Sequence, residues 1–296
     1  MAPAEHSALA VAADVLACPE CLRAHQDAAP LALEPRDRAL RCGSGHSFDI
    51  ARQGYVSLLT GASTKMTGDT AAMLDARAAF QSEGHFAPIA DAVTHAATAR
   101  RCDGPMLEIG AGTGYYLARA LDAAPPAVGI GLDVAKPAVR RCARSHPRAA
   151  AVLADAWRGL PIRDGALACV LSVFAPRNPG EIARVLAADG CFVVVTPTER
   201  HLGELIEPLD MVRVDPDKDR RLDAAMAGHF EPVDRTLVEY PMTLTGTDVA
   251  HVVGMGPSAH HAAAGGERLA PRPESVEVTA SVVVGTYRLI AGFSLS

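Results

Sequence analysis

The sequence has no apolar stretch near the ~18 uninterrupted residues that a membrane span needs. Its first seventeen residues contain neither lysine nor arginine and carry Glu5 and Asp14, which argues against a basic-headed secretory leader. Positive charge is not in surplus. The 28 Lys and Arg stand against 34 Asp and Glu, a formal net charge of −6, so no global field draws the chain to a polyanion and any such contact must come from local patches. Candidates are the clusters Arg36, Arg38 and Arg41, Arg100 and Arg101, and Arg140, Arg141 and Arg144, each of which also reads as a plain solvated face. The seven cysteines are an odd count, with 102, 142, 169 and 191 standing singly, and they lack a disulfide framework. The expected compartment is cytoplasmic. What remains is 296 residues, about half of them apolar, enough for one full α/β domain and a small accessory module.

Composition and periodicity divide the chain into four expected segments. Residues 1–17 read as a loose tail. Residues 18–60 are rich in Cys, Gly and Pro with short alternating apolar positions, which suits a small β-rich module held by something other than a core. Residues 61–104 read as a helical connector, with one helix capped by Asp69 and ending near Ser82, and a second from Ala87 to about Arg100. From Pro105 to the end, short apolar runs alternate with helical segments. Strands are expected at 106–110, 127–133, 150–154, 167–173 and 191–196, and helices at 115–123, 136–145 and 179–187, the pattern of a mostly parallel sheet. The runs 236–242 and 275–290 suit an antiparallel edge hairpin, and the charged stretch Asp215 to Arg221 suits a solvated helix start or loop. The module and the larger domain are expected to have separate cores.

The sharpest feature is Leu107-Glu108-Ile109-Gly110-Ala111-Gly112-Thr113-Gly114, an apolar strand ending in a glycine turn that opens a helix. Such a turn lets backbone approach a ligand where a side chain would collide. A dinucleotide fingerprint needs its third glycine at position 115, which is Tyr115, so that reading fails on spacing. Asp133 ends the next strand nineteen positions past Gly114 and can accept both hydroxyls of a ribose. Asp155 and Ala156 follow the third strand. Taken alone, either Asp could be only a helix cap. The fourth strand ends at Phe174-Ala175-Pro176, which on the residues alone reads as core and loop.

Cys18-Pro19-Glu20-Cys21 and Cys42-Gly43-Ser44-Gly45-His46 supply C-x₂-C and C-x₃-H half-sites. Two ligands at such spacing on a tight turn can point at one tetrahedral ion, and three thiolates with one imidazole suit zinc. Four protein ligands leave no open position, so the zinc is expected to be structural. His25 is a competing ligand without a paired position, and His260 and His261 lack ligands at suitable spacing.

Glu108-x-Gly110-x-Gly112-x-Gly114 resembles the first motif of class I methyltransferases, in which the acidic group suits a sulfonium donor with a free ammonium. The resemblance narrows with the cysteine pairs, Phe48 to Val56, Gly68-Asp69-Thr70, Ala76 to Phe80, Gly84-His85-Phe86, Gly131 to Lys136, Phe174-Ala175-Pro176 and Thr196 to Leu205. Together these segments resemble the bacterial 23S rRNA (guanine-N1)-methyltransferase family over nearly the whole chain after residue 17. The resemblance implies a class I Rossmann-like domain preceded by the zinc module, with S-adenosylmethionine as donor and a hairpin in domain II of 23S rRNA as partner. It also implies a cleft for that hairpin between module and domain. Glu108, Gly110, Gly112, Thr113, Gly114, Asp133, Asp155, Ala156, Phe86 and His201 become the expected donor-binding residues, Asp155 and Ala156 at the adenine edge, and Phe174 and Pro176 become candidates for the wall facing the methyl acceptor. Met255 to His261 resembles the tylosin-resistance, Gram-positive branch, which methylates the position-748 type of guanine, so resistance and housekeeping roles both stay open.

Guanine N1 lies on the Watson–Crick edge and carries a proton at neutral pH, so the base must be exposed and deprotonated as the methyl arrives. The residues name no base for that proton. Oligomeric state is open, a homodimer included. Two other readings remain at this point: a methyltransferase acting on another RNA or a small molecule, and a non-catalytic zinc-containing RNA-binding protein.

Overall fold

The structure is a computed structural model that describes residues 7–24, 31–61, 64, 66–99, 104–124, 127–213, 215, 217–256 and 274–290. His25, Arg100, Arg101, Cys102 and residues 257–261 lie outside the described residues.

The chain opens with α1 (Ala8–Ala12), capped by Ser7, whose hydroxyl accepts from Ala10 N at 3.2 Å. Leu9, Ala12 and Leu16 are buried, and α1 packs on the main sheet. This part of the expected tail is therefore folded in, because its leucines and alanines fall on one helical face. Helix α2 (Pro19–Ala24) starts on the proline of the first cysteine pair, where the missing N–H costs nothing. Strands β1 (Leu33–Arg36), β2 (Ala39–Cys42) and β3 (Ser47–Asp49) form an antiparallel three-stranded sheet.

The next strand, β4 (Tyr55–Ser57), leaves the module and pairs parallel with β7 (Ala149–Leu153) at the edge of the main sheet. Helix α3 (Ala71–Ser82) follows, then α4 (Ala87–Thr98). The cap of α3 is Thr70, whose Oγ1 accepts from Met73 N at 3.2 Å. Asp69, the expected cap, is instead paired with Arg77 at 2.5 Å.

The main sheet also holds β5 (Met106–Ile109), β6 (Gly129–Asp133), β8 (Leu167–Val173), β9 (Leu186–Pro197), β10 (Phe230–Thr245) and β11 (Ser275–Leu289). Its order is β10-β11-β9-β8-β5-β6-β7-β4. Strands β4 to β9 run parallel, and β10 and β11 form the expected antiparallel edge hairpin. Both hairpin strands and β9 run longer than the apolar runs predict, because each is completed by ladder pairing that tolerates exposed residues. Helices α5 (Tyr115–Ala123), α6 (Lys136–Cys142) and α7 (Pro179–Val185) connect the parallel strands. The chain leaves β5 towards β6 on one side and returns to β8 on the other, so the crevice at the C-terminal ends of β5 and β8 is where ligands bind in such sheets.

Close packing explains the Gly-Ile-Gly-Leu-Asp of β6. A Cβ on Gly131 would stand 2.1 Å from Cys142 Sγ, so α6 can lie against the strand only with glycine there. The sheet buries both faces. Ile89, Val93, Leu117 and Leu121 cover one. On the other, Leu107, Ile130 and Val152 share a single cluster with Leu16, Cys18, Leu33, Leu40 and Ile182. The zinc module thus has no separate core: its apolar side chains complete that of the main sheet, each fully buried leucine contributing ~1.5–3 kcal/mol. After β9 come α8 (Gly203–Leu209), α9 (Lys218–Met226), which occupies the end of the charged stretch, and α10 (Gly246–Met255), closed by a Thr245–Asp248 capping box.

Candidate active site and metal centre

Gly110, Gly112 and Gly114 all take positive φ, at 69°, 54° and 78°, a region that costs a side chain ~1–3 kcal/mol. Their backbone forms a cradle: Gly110 N and Ala111 N both donate to Leu132 O, at 2.8 and 3.1 Å. Gly112 N donates to Asp133 Oδ2 at 2.9 Å, and Ala135 N donates to Asp133 Oδ1 at 2.8 Å. Burial raises the Asp133 pKa, while these two N–H groups oppose the shift. A carboxylate offers roughly four acceptor sites, so Asp133 can hold its loop and still accept from hydroxyls.

Glu108 is placed differently from expectation. It is 2 % exposed, and its Oε2 accepts from Leu117 N at 3.1 Å inside the first turn of α5. Strand alternation puts this side chain under the helix, where it holds the helix start. Burial, with a smaller push from Asp133 and against the Leu117 N–H, brings its pKa up to about 8. Between the ordinary glutamate range and about 8, the folded chain holds a proton that the unfolded chain has released, so stability falls as pH rises through that window. Glu108→Gln should abolish this contribution. In thermal denaturation of the donor-free protein, the variant should match the parent near pH 5 and exceed it near pH 8.5, whereas parallel curves would show that Glu108 is not protonated in the fold.

Asp155 is buried beside the end of β7. Its Oδ1 accepts from Trp157 N at 3.0 Å, capping the 3-10 turn Ala156–Arg158, and its Oδ2 accepts from Thr64 Oγ1 at 2.6 Å. The cap reading and the site reading therefore coexist. Phe86, at the start of α4, is buried, and its ring lies 6.3 Å from Phe174 and 6.0 Å from His201. Phe174 and His201 stack at 5.8 Å with an interplanar angle of 22°. Phe174 sits at φ +53° and is 40 % exposed, and Pro176 is exposed beside it. His201 Nδ1 accepts from Ser281 N at 3.1 Å, which leaves the proton of the neutral ring on Nε2.

Three residues to which the motifs assign no role support these groups. Gln81 is buried and accepts from Thr113 Oγ1 at 2.7 Å. Arg77 Nη1 would lie 3.0 Å from a Cβ on Gly112, and Arg77 Nη2 donates to Met255 O at 2.8 Å. Thr64 holds Asp155. Arg77 stands in a quoted motif, but nothing local marks its partners.

The four expected metal ligands do converge. The ligand atoms of Cys18, Cys21, Cys42 and His46 all lie within 4.8 Å of one another. Cys21 and Cys42 sulfurs are 3.8 Å apart, and His46 Nδ1 lies 3.5, 3.5 and 3.4 Å from Cys18, Cys21 and Cys42. A tetrahedron with Zn–S of about 2.3 Å and Zn–N of about 2.0–2.1 Å has edges of roughly 3.7 and 3.6 Å, so these residues fit zinc. Burial holds the Cys18 thiol up at about 12. At Cys42 burial also opposes the thiolate, but hydrogen bonds from His46 and neighbouring groups outweigh it and bring the pKa down to about 7.

The strand order, the glycine cradle and the Cys3His cluster together define a class I, S-adenosylmethionine-dependent methyltransferase preceded by a structural zinc module. The RlmA N-terminal zinc ribbon family matches residues 16–62. A Micromonospora griseorubida protein provisionally named 23S rRNA (guanine-N(1)-)-methyltransferase is 47% identical over 93% of this chain and 97% of its own. The 23S rRNA (guanine(748)-N(1))-methyltransferase of Streptomyces fradiae is 46% identical over 90% of this chain and 94% of its own. Among solved structures, a provisionally named methyltransferase from Bacillus halodurans aligns at a TM-score of 0.46 with 12% identity, over 67% of this chain and 97% of that one. The chain belongs to the 23S rRNA (guanine-N1)-methyltransferase family.

Proposed function

We propose that this chain methylates N1 of a guanine in the domain II hairpin loop of 23S rRNA, at the position-748 type of site. The observation that carries the reading is the near full-length similarity to the Streptomyces fradiae enzyme, whose printed name specifies guanine 748. Such a substrate implies work in the cytoplasm, where ribosomal RNA is made. Methylation there would reduce binding of tylosin-class macrolides, a resistance role.

The site residues divide by chemistry. The 110–114 backbone and Asp133 hold the donor's methionine and ribose, Asp155 and Ala156 meet its adenine, and Phe86 and His201 wall the sulfonium. The donor supplies an electrophilic methyl on positive sulfur. Phe174, held in a strained backbone conformation with its ring exposed, stacks with Pro176 against the extruded guanine; such strain concentrates at functional sites. Alignment of N1 with the methyl carbon supplies most of the acceleration. The division of labour follows the segments 18–60 for RNA recognition, 61–104 as connector and 105–296 for donor and chemistry.

The test is reverse transcription of 23S RNA treated with protein and donor. An N1-methyl blocks Watson–Crick pairing, so extension should stop one nucleotide before a single guanine of that loop. Methyl incorporation at cytosine, adenine or transfer RNA, with none in 23S RNA, would overturn the reading.

A further inference from the structure

Away from the donor pocket, the fold gathers arginines that the sequence scatters. Gly54 ends the turn after β3, and a Cβ there would lie 3.7 Å from Cβ of Ala143, so this turn packs on the C-terminal end of α6. Ala143 continues α6 with near-helical backbone, φ −59° and ψ −13°. Arg140, three residues earlier, and Arg144 therefore lie on the flank of the helix that meets the turn. Val139 and Cys142 face the core, and Arg141 is held by Asp75 and the carbonyl of Ala71. Arg52 stands in the turn itself, and Arg52 and Arg144 are both exposed. Arg38 adjoins them, since its carbonyl accepts from Ile50 N at 2.7 Å.

Among the described residues, the side chains of Arg38, Arg52, Arg140 and Arg144 have no ion-pair or hydrogen-bond partner. Arg140 Nε is buried as well as unpartnered. Asp75, packed against α6, is already paired with Arg141, and exposed Asp37 and Asp49 only partly offset the patch. Favourable placement at a helix C-terminus accounts for Arg140. It does not account for Arg52 or Arg38, which come from other elements. In a chain of net charge −6, unpaired guanidinium groups gathered on adjoining elements form a local positive patch, and their planar forks match phosphate oxygens.

We infer that this face, where the β3–β4 turn meets α6, grips the phosphodiester backbone of the RNA substrate. Ser145, next to Arg144, packs against the last cradle glycine, since a Cβ on Gly114 would lie 2.5 Å from Ser145 Oγ and 3.2 Å from Cys142 Cα, so the face adjoins the start of α5 and anchors RNA flanking the target loop. The inference rests on the RNA reading above.

The test uses the full chain with Arg52→Glu and Arg144→Glu combined, both exposed positions that should leave the fold intact. Affinity for a 23S domain II transcript is measured across a series of salt concentrations, with donor affinity as a control. The double variant should bind about tenfold or more weakly, and its log K against log salt slope should flatten by about one to two, as two phosphate contacts are lost. Donor affinity and kcat at saturating RNA should be unchanged, and the double lysine variant should retain most of the affinity. A parent that gives the expected stop, with a double variant whose affinity and slope equal the parent's, overturns this inference alone. A parent that gives no stop removes the RNA reading and this inference with it.

Discussion

Gly112→Arg should reduce donor affinity by at least about 100-fold, ~2.7 kcal/mol or more, in a protein that still folds. Three physical effects act together. Gly112 sits at φ +54°, so any side chain adds backbone strain of ~1–3 kcal/mol. The new Cβ would point at Arg77 Nη1, 3.0 Å away, and a second guanidinium there would repel the first. The Gly112 N–H, donated to Asp133 Oδ2 at 2.9 Å, would be dragged out of line, loosening the carboxylate proposed to meet the ribose. Gly112→Ala should sit between parent and Arg, because only the flexible tip of Arg77 has to move. Asp133→Ala should cost the charge-assisted contacts, ~1.5–3 kcal/mol, and would leave the Gly112 and Ala135 N–H groups without their acceptor. Isothermal titration with S-adenosylmethionine reads all three. Near-parental affinity in Gly112→Arg would mean that the donor does not lie against this loop.

How far the sequence led depends on the range of the interactions concerned. The glycine cradle, the ends of β6 and β7 and the cysteine half-sites are short motifs whose chemistry is local: Gly112 N meets Asp133, and the two cysteine half-sites converge on each other. The caps show where local signals tie: Asp69 and Thr70 are both good N-caps, and only the tertiary pairing of Asp69 with Arg77 leaves Thr70 to do the capping. Glu108 shows a similar limit. Its residue type suits a ligand ammonium, but strand alternation turns it under α5. Partners far apart in sequence were invisible, as with Thr64 and Asp155 or Thr113 and Gln81. So was the parallel pairing of β4 with β7, which ties the module to the main sheet and makes two apparent domains share one core. The grouping of Phe86, Phe174 and His201 was open only through family resemblance, since no spacing rule joins residues on three different elements.

That shared core changes what loss of the metal should do. The purified protein should carry one zinc per chain, and Cys18→Ser should lose most of it, since the remaining ligands Cys21, Cys42 and His46 cannot close a tetrahedron with thiolate strength. A structural zinc is worth ~10–16 kcal/mol in small modules, so the module should unfold locally. Separate cores would have left donor binding untouched. Here Cys18, Leu33 and Leu40 belong to the same buried cluster as Leu107 and Val152. Pro19, Leu22 and Arg23 line a groove of about 290 Å³ together with Asp155 and Arg158. Unfolding the module therefore exposes one face of the main sheet and removes a wall beside the proposed adenine-reading carboxylate. The melting temperature should drop by roughly 10 °C or more, given ~2–4 °C per kcal/mol for a chain of this size class. Donor affinity should fall several-fold instead of staying level, and methylation of 23S RNA should be lost, because the cradle of β5 survives while the module proposed to recognise the RNA does not. Chelation of the parent should reproduce the same three changes and readdition of zinc should reverse them. A zinc-free preparation with full activity, or a Cys18→Ser protein that methylates at the parental rate, would show that the four converging ligands do not hold a metal on which the fold depends.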